Sequence, residues 1–208
     1  TATISVLARK SRKASELEAT DYVAAMLLAV SMMFLRFMIL ILIFSREIFL
    51  SIYPYLLTMA VVAAIVAWFI HSRQKRPEDQ PAETEEDDSS NPLEFKVALI
   101  FAVLFVIFTF LTLYTLVYAG TGGLNLLSFV SGFSDITPFI LNLLQNTGSV
   151  AALIITACSM QAIISNIMVN MFYALFFAGK GSKLRPWILG GFGVVIACNL
   201  VLLLFFYI

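Results

Sequence analysis

GGLNLLSFVSGFSDITPFILNLLQNTGS, residues 122–149, is the stretch on which the fold turns. Residues 124–144 would reach about 31 Å as one helix, enough to cross a hydrocarbon core of about 30 Å. The local chemistry speaks against a single rod. Pro138 has no N–H and is tolerated only in the first turn of a helix, and its ring pushes Thr137 out of helical geometry. Thr137 as N-cap with Pro138 at the first helical position is a standard helix start. Gly132 permits a bend. Two arms follow, one ending near Ser131 and one beginning at Pro138, each about nine residues or roughly 13 Å. That is near half the membrane, so the segment reads as a re-entrant hairpin that returns to the face it left. The competing reading is a proline-kinked helix that crosses.

A helix that starts in mid-membrane exposes free N–H groups and about half a positive charge. Irregular backbone persists at that depth only when it is buried in protein or lines a wet cavity. Ser131, Ser134, Asp135 and Thr137 bring oxygens to the same point and are candidate ligands for a small ion or solute. In the kinked alternative the same groups only satisfy their own backbone.

Outward from this stretch, composition sets the solvent. Of 208 residues, 61% are hydrophobic and 12% charged, against about 45–50% and about 25% in soluble domains. Five segments, 22–44, 48–70, 97–118, 150–178 and 187–208, are apolar and long enough to span a bilayer. A soluble enzyme, a disordered chain and a disulfide scaffold are excluded. The fold class is all-α, a polytopic membrane helix bundle of five spanning helices plus the broken hairpin. Thirteen basic and thirteen acidic residues cancel, so no basic surface points to nucleic acid. Cys158 and Cys198 have neither a CxxC partner nor a nearby His and read as small buried side chains. His71, where an apolar run ends, reads as interfacial. No metal-ligand set, nucleophile–base pair or P-loop appears, so neither an enzyme nor a cofactor is expected. The first residue is Thr and no signal peptide is visible, which suggests a piece of a longer polypeptide.

Between the second and third spans lies RQKRPEDQPAETEEDDSSNPLEFK, residues 73–96, too polar to bury a core and read as a disordered acidic linker. It separates a first membrane repeat, 1–72, from a second, 97–208. Thr1 pairs with Thr137 at an offset of 136, while Ser31 with Ser165, Arg36 with Asn170 and Arg46 with Lys180 pair at 134. A two-residue loop shift reconciles the offsets. The first half then lacks a counterpart to residues 97–136, on the order of 40 residues. Its motif TATIS, with Thr1 and Thr3, would face the second motif.

Lys and Arg favour the cytoplasmic side. Arg9, Lys10, Arg12 and Lys13 precede the first span, and Arg73, Lys75, Arg76 and Lys96 follow the second. With these eight inside, a crossing 124–144 puts Arg46, Lys180, Lys183 and Arg185 outside, eight against four. A re-entrant 124–144 leaves only Arg46 outside, eleven against one. The second arrangement is preferred; it makes the linker cytoplasmic and the halves inverted, as in secondary transporters.

Of the charged residues, only Arg36 and Asp135 lie well inside apolar segments, where a charge costs roughly 2.5–3.5 kcal/mol even on insertion scales. They are expected at a shared interior site; a structural ion pair, or Asp135 as a helix cap, are the alternatives. Ser165, Asn166 and Asn170 join them as candidates. Positions 162, 166 and 170 share one face, and helix–helix hydrogen bonding accounts for that pattern equally well. Gly190, Gly191 and Gly193 are expected to permit close packing, and Trp68, Tyr118 and Trp187 to anchor helix ends.

TATISVLARKS, NPLEFKVAL, GLNLLSFVSGFSDITPFILNLL and SNIMVN together resemble domain of unknown function 4010, over essentially the whole chain. The family pattern carries a Gly-Leu-x-Ser-Ser stretch ahead of Thr-Ala-Thr that is absent here. It also has a second acidic residue where this chain has Thr137, Ala in place of Pro138 and Lys in place of Asn170. Only Asp135 of the acidic pair is present. The resemblance implies a multi-pass protein of the prokaryotic cytoplasmic (inner) membrane, associated with MgtC/SapB-type domains and loosely with magnesium homeostasis. Mg²⁺ prefers oxygen ligands and keeps its waters, for which one membrane carboxylate is thin provision. The functional expectation is a secondary-transporter-like permease or channel for a small ion or solute. The alternative is a non-transporting regulatory module packed against an MgtC-like domain. Partners expected are the lipid bilayer, that solute, and an MgtC-like domain or further copies of the chain.

Overall fold

A computed structural model describes residues 4, 7, 16–72, 93–133, 135–145, 151–178 and 184–207. Among these there are seven helices and no strand: α1 (Glu16–Phe44), α2 (Arg46–Ser72), α3 (Leu93–Tyr118), α4 (Gly120–Ser131), α5 (Ile136–Gln145), α6 (Ala152–Ala178) and α7 (Arg185–Tyr207). By length and composition α1, α2, α6 and α7 can each cross a membrane. Residues 73–92 of the linker, and Thr1, Thr3 and Ser134, lie outside the described residues. Helix α3 begins four residues earlier than the linker boundary at 96 implied. Leu93, Glu94 and Lys96 are good helix formers, and Pro92 immediately before them suits a helix entrance.

Helices α1 and α2 form a hairpin with Ser45 alone between them. The Ser45 N–H donates to Ile41 O at 2.8 Å, and Ser45 Oγ accepts the Ile48 N–H at 3.4 Å, capping α2. Val23, Met26, Leu27, Val30, Phe34, Phe37 and Ile41 recur every three or four residues and are buried. They meet Ile48, Ile52, Leu56, Met59, Ala63, Ala67 and Ile70 of α2, which are spaced likewise. Ser31 Oγ donates across the seam to Ala60 O at 2.8 Å. At the open end His71 Nδ1 lies 2.8 Å from Asp21 Oδ1, both about half exposed (47% and 48%), as an interfacial pair should be.

Helix α7 closes on this hairpin. A Cβ on Gly191 would stand 2.7 Å from Leu27 Cδ1 and 3.2 Å from Ile70 Cδ1. The first turns of α7 therefore sit level with the start of α1 and the end of α2. Gly190 and Gly193, expected to serve the same purpose, face open space. Deeper in, the buried Tyr55 hydroxyl donates to Asn199 Oδ1, whose Nδ2 donates to Val195 O at 2.9 Å. Tyr55→Phe leaves that amide oxygen without its donor. We expect a loss of about 0.5–2 kcal/mol, read by denaturant titration in detergent micelles.

Gly120, with φ of 58°, turns α3 into α4 in a left-handed conformation that side chains disfavour. Helix α5 docks on α3 through Phe108 and Phe139, ring centroids 5.8 Å apart. Asn142 Nδ2 also donates to Thr109 Oγ1 at 2.7 Å. Helix α6 is the most enclosed spanning candidate, touching α2, α4, α5 and α7.

Candidate functional site

The quoted segment is broken, but not quite where its proline suggests. Helix α4 ends at Ser131, as expected, whereas α5 starts at Ile136 rather than Pro138. Asp135, not Thr137, is the cap: its Oδ1 accepts the Thr137 backbone N–H at 3.0 Å and the Thr137 hydroxyl at 2.7 Å. Pro138 thus lies third in the helix, still inside the first turn where an N–H has no intrahelical partner. The two bonds to Asp135 offset the disfavoured helical geometry of a residue before proline.

The carbonyl end of the break is capped from another helix. Within α4 the last turn tightens, Gly132 N–H donating to Phe129 O at 3.3 Å and Phe133 N–H to Val130 O at 3.1 Å. From α6, Ser165 Oγ donates to Phe129 O at 2.7 Å and Asn166 Nδ2 to Gly132 O at 3.1 Å. Asn170 Nδ2 donates in turn to Asn166 Oδ1 at 3.1 Å. Gly132 has ordinary right-handed dihedrals, so it is needed for space and not for conformational freedom. A Cβ there would lie 2.4 Å from Ser165 Cβ and 2.8 Å from the Asn166 backbone nitrogen.

Two further contacts extend this seam. Cys158 Sγ approaches Asn125 Oδ1 at 3.5 Å, and Ser128 Oγ donates to Gln161 Oε1 at 3.1 Å. The partners advance together, 125 with 158, 128 with 161, 129 with 165 and 132 with 166, so α4 and α6 run parallel. Sequence reasoning did not pick out Asn125 or Ser128. The signal was there in matched three- and four-residue steps of small and polar residues on both helices.

On the amide side, Arg36 Nη2 of α1 donates to Thr137 Oγ1 at 3.1 Å. The hydroxyl of Thr137, a residue 3% exposed, therefore stands between a guanidinium and a carboxylate, accepting from one and donating to the other. Arg36 and Asp135, expected at a shared interior site, do not touch; one hydroxyl separates them, and both residues are instead exposed at the surface of the described residues. Ser131 Oγ donates into its own helix at Ser128 O, 2.7 Å away. The structure thus gathers Arg36, Asp135 and Thr137 on one side of the break and Ser165, Asn166 and Asn170 on the other. Thr1, Thr3 and Ser134 fall outside the described residues; of the first motif, Ile4 is described and is buried.

Opposite charges carried on one hydroxyl can orient a small polar or charged ligand, but they make no metal cage. Among the described residues no group of three His, Cys, Asp or Glu side chains converges. The profile of the family described as "Domain of unknown function (DUF4010)" matches residues 1–178. No curated protein and no solved structure matches the chain.

Proposed function

The chain belongs to the DUF4010 family, and from that premise we propose that it is a secondary-transporter-like permease or channel for a small ion or solute, centred on the break between α4 and α5. The observation that carries this reading is the broken helix itself, capped by Asp135 at one end and by Ser165 and Asn166 at the other. Discontinuous helices of this kind form the binding sites of many secondary transporters.

The re-entrant course has support from register. Because α4 and α6 run parallel with Asn125 beside Cys158, the start of α4 and the start of α6 lie at similar depth. A chain that leaves one face at Gly120 and is back near it at Ala152 has turned round between. The start of α7, level with the start of α1 and the end of α2 through Gly191, supports the same course. On this reading α3 is the fifth span, and α1 and α6 run in opposite directions, as an inverted repeat requires. The end of α6 and the start of α7 then share a side with the end of α2, the arrangement that gives the eleven-to-one basic asymmetry and makes that side cytoplasmic. We place the protein in a prokaryotic inner membrane, without enzymatic activity; a link to magnesium homeostasis rests on the family resemblance alone.

One observation favours a second reading, a non-transporting module that packs against an MgtC-like domain. A mostly apolar groove opens outward between α4, α6 and α7, lined by Phe129, Ile164, Met168, Leu200 and Leu203 together with the polar Asn125 and Gln161. Flux into proteoliposomes loaded with a panel of cations, anions and zwitterions separates the two. Saturable uptake of one class, at least tenfold above protein-free vesicles, is the expected result; baseline flux across the panel rejects the permease.

A further inference from the structure

The outward groove between α4, α6 and α7 has a volume of about 380 Å³, and its lining is ordered along its length. Contacts between the parallel α4 and α6 fix the depth of each residue. Asn125 is level with Cys158, Gln161 with Ser128, and Phe129 with Ser165. Counted from the end where both helices start, the two amides come first, and Phe129, Ile164 and Met168 follow. The level of Cys158 and that of Met168 are about 15 Å apart, half of a hydrocarbon core. The groove therefore runs through one leaflet, polar at its mouth and apolar beyond.

Neither amide is spent. Asn125 Oδ1 meets Cys158 Sγ at 3.5 Å and Gln161 Oε1 meets Ser128 Oγ at 3.1 Å, but their –NH₂ groups have no partner. An –NH₂ group carries two N–H donors, so one is left over whichever way the amide is turned. Both residues are half-buried and line the groove, so these donors lie at its surface and not in the sealed interior. Hydrocarbon cannot satisfy them, and an amide donor bare in lipid is costly. Helix α6 has 27 residues, so at about 40 Å it overhangs a core of about 30 Å by about 5 Å at each end. Cys158 then lies about 4 Å inside the hydrocarbon edge and Gln161 about 8 Å inside. Helical side chains lean toward the N-terminus, which on both helices is the mouth. The free donors thus stand near the level of the ester groups of the bilayer.

We infer that the groove holds one glycerophospholipid, with an ester carbonyl accepting from Asn125 and Gln161 and an acyl chain lying on Phe129, Ile164 and Met168. At the ester level such a lipid brings acceptors and no donors, followed by hydrocarbon, in the order the groove presents. A transmembrane helix spends its backbone carbonyls on itself and would need a side-chain acceptor at this one level. A second copy related by a two-fold axis would set groove against groove and leave both unfilled. The inference stands whether or not a solute crosses.

Native mass spectrometry of the full chain, released from detergent micelles, tests it. Delipidated protein is titrated with dioleoylphosphatidylglycerol or with its dialkyl ether analogue, which keeps headgroup and chains but lacks both ester carbonyls. The expected result is a one-to-one adduct at least fivefold more abundant with the ester lipid. Equal adducts from the two lipids, or no adduct, overturn the inference. A lipid-free dimer also overturns it and assigns the groove to a second copy. Asn125→Leu with Gln161→Leu keeps the groove apolar and should erase the preference for the ester; a preference that persists in the folded variant overturns the inference. If that variant does not fold, the comparison of ester with ether on the unsubstituted chain decides.

Discussion

Gly132→Ala should destabilise the protein by about 2–4 kcal/mol, a large effect for one added methyl group. The new Cβ meets Ser165 Cβ and Oγ at 2.4 Å and the Asn166 backbone nitrogen at 2.8 Å. The side chain of Ser165 can rotate, but its Cβ and the backbone of α6 cannot, so the helices must part. Parting lengthens the two bonds that cap the end of α4, Ser165 to Phe129 O and Asn166 to Gly132 O. Overpacking and lost capping thus act together. Adding Ser165→Gly should recover part of the loss, because it removes the nearer obstacle and leaves the backbone one. Reversible unfolding in mixed micelles, run as a double-mutant cycle, reads both numbers. Full additivity of the two substitutions would show that the close approach is not what selects glycine.

Asp135 allows charge and capping to be separated. Asn caps helices about as well as Asp, so Asp135→Asn keeps an oxygen for the Thr137 N–H and should cost under about 0.5 kcal/mol. Asp135→Ala removes the cap and should cost about 1–2 kcal/mol. Transport should not follow stability. If the carboxylate and guanidinium on either side of Thr137 orient the solute, Asp135→Asn and Arg36→Gln each lower flux at least tenfold while the protein stays folded. Asp135→Asn with wild-type flux would reduce Asp135 to a cap. The Arg36→Gln, Asp135→Asn double variant completes the cycle. Losses that do not add would mean the two charges act through the one hydroxyl between them.

Much of this architecture was legible in the residues. Apolar runs of span length marked the long helices, because in lipid the whole circumference of a helix tolerates apolar side chains. Ser131 was also legible as the end of α4. The start of α5 was not, since two rules compete at SDITP. Proline favours the first helical position, yet it is equally tolerated two residues later when an acidic residue ahead of it caps the helix. The role of Gly132 was misread for a different reason. Glycine in a bend suggests dihedral freedom, and only the packing of α6 reveals that the demand is for room. Asn166 and Asn170 were placed on one face correctly, and they bond to each other. What Asn166 holds, a carbonyl 34 residues earlier in the chain, is a long-range fact that no local pattern carries. Arg36 and Asp135 were paired by depth alone, and the hydroxyl that joins them came from the residue first taken as the cap.

The parallel seam between α4 and α6 has a mechanical corollary. Four side-chain contacts tie the broken segment to α6. Among hydrogen bonds between described residues, a single one, from Arg36 to Thr137, ties it to the α1–α2 hairpin. Under shear the weaker junction yields first. A displacement of α5 against the hairpin would therefore strain the Arg36–Thr137 bond first, while α6 stays anchored by its packing on α2 and α7.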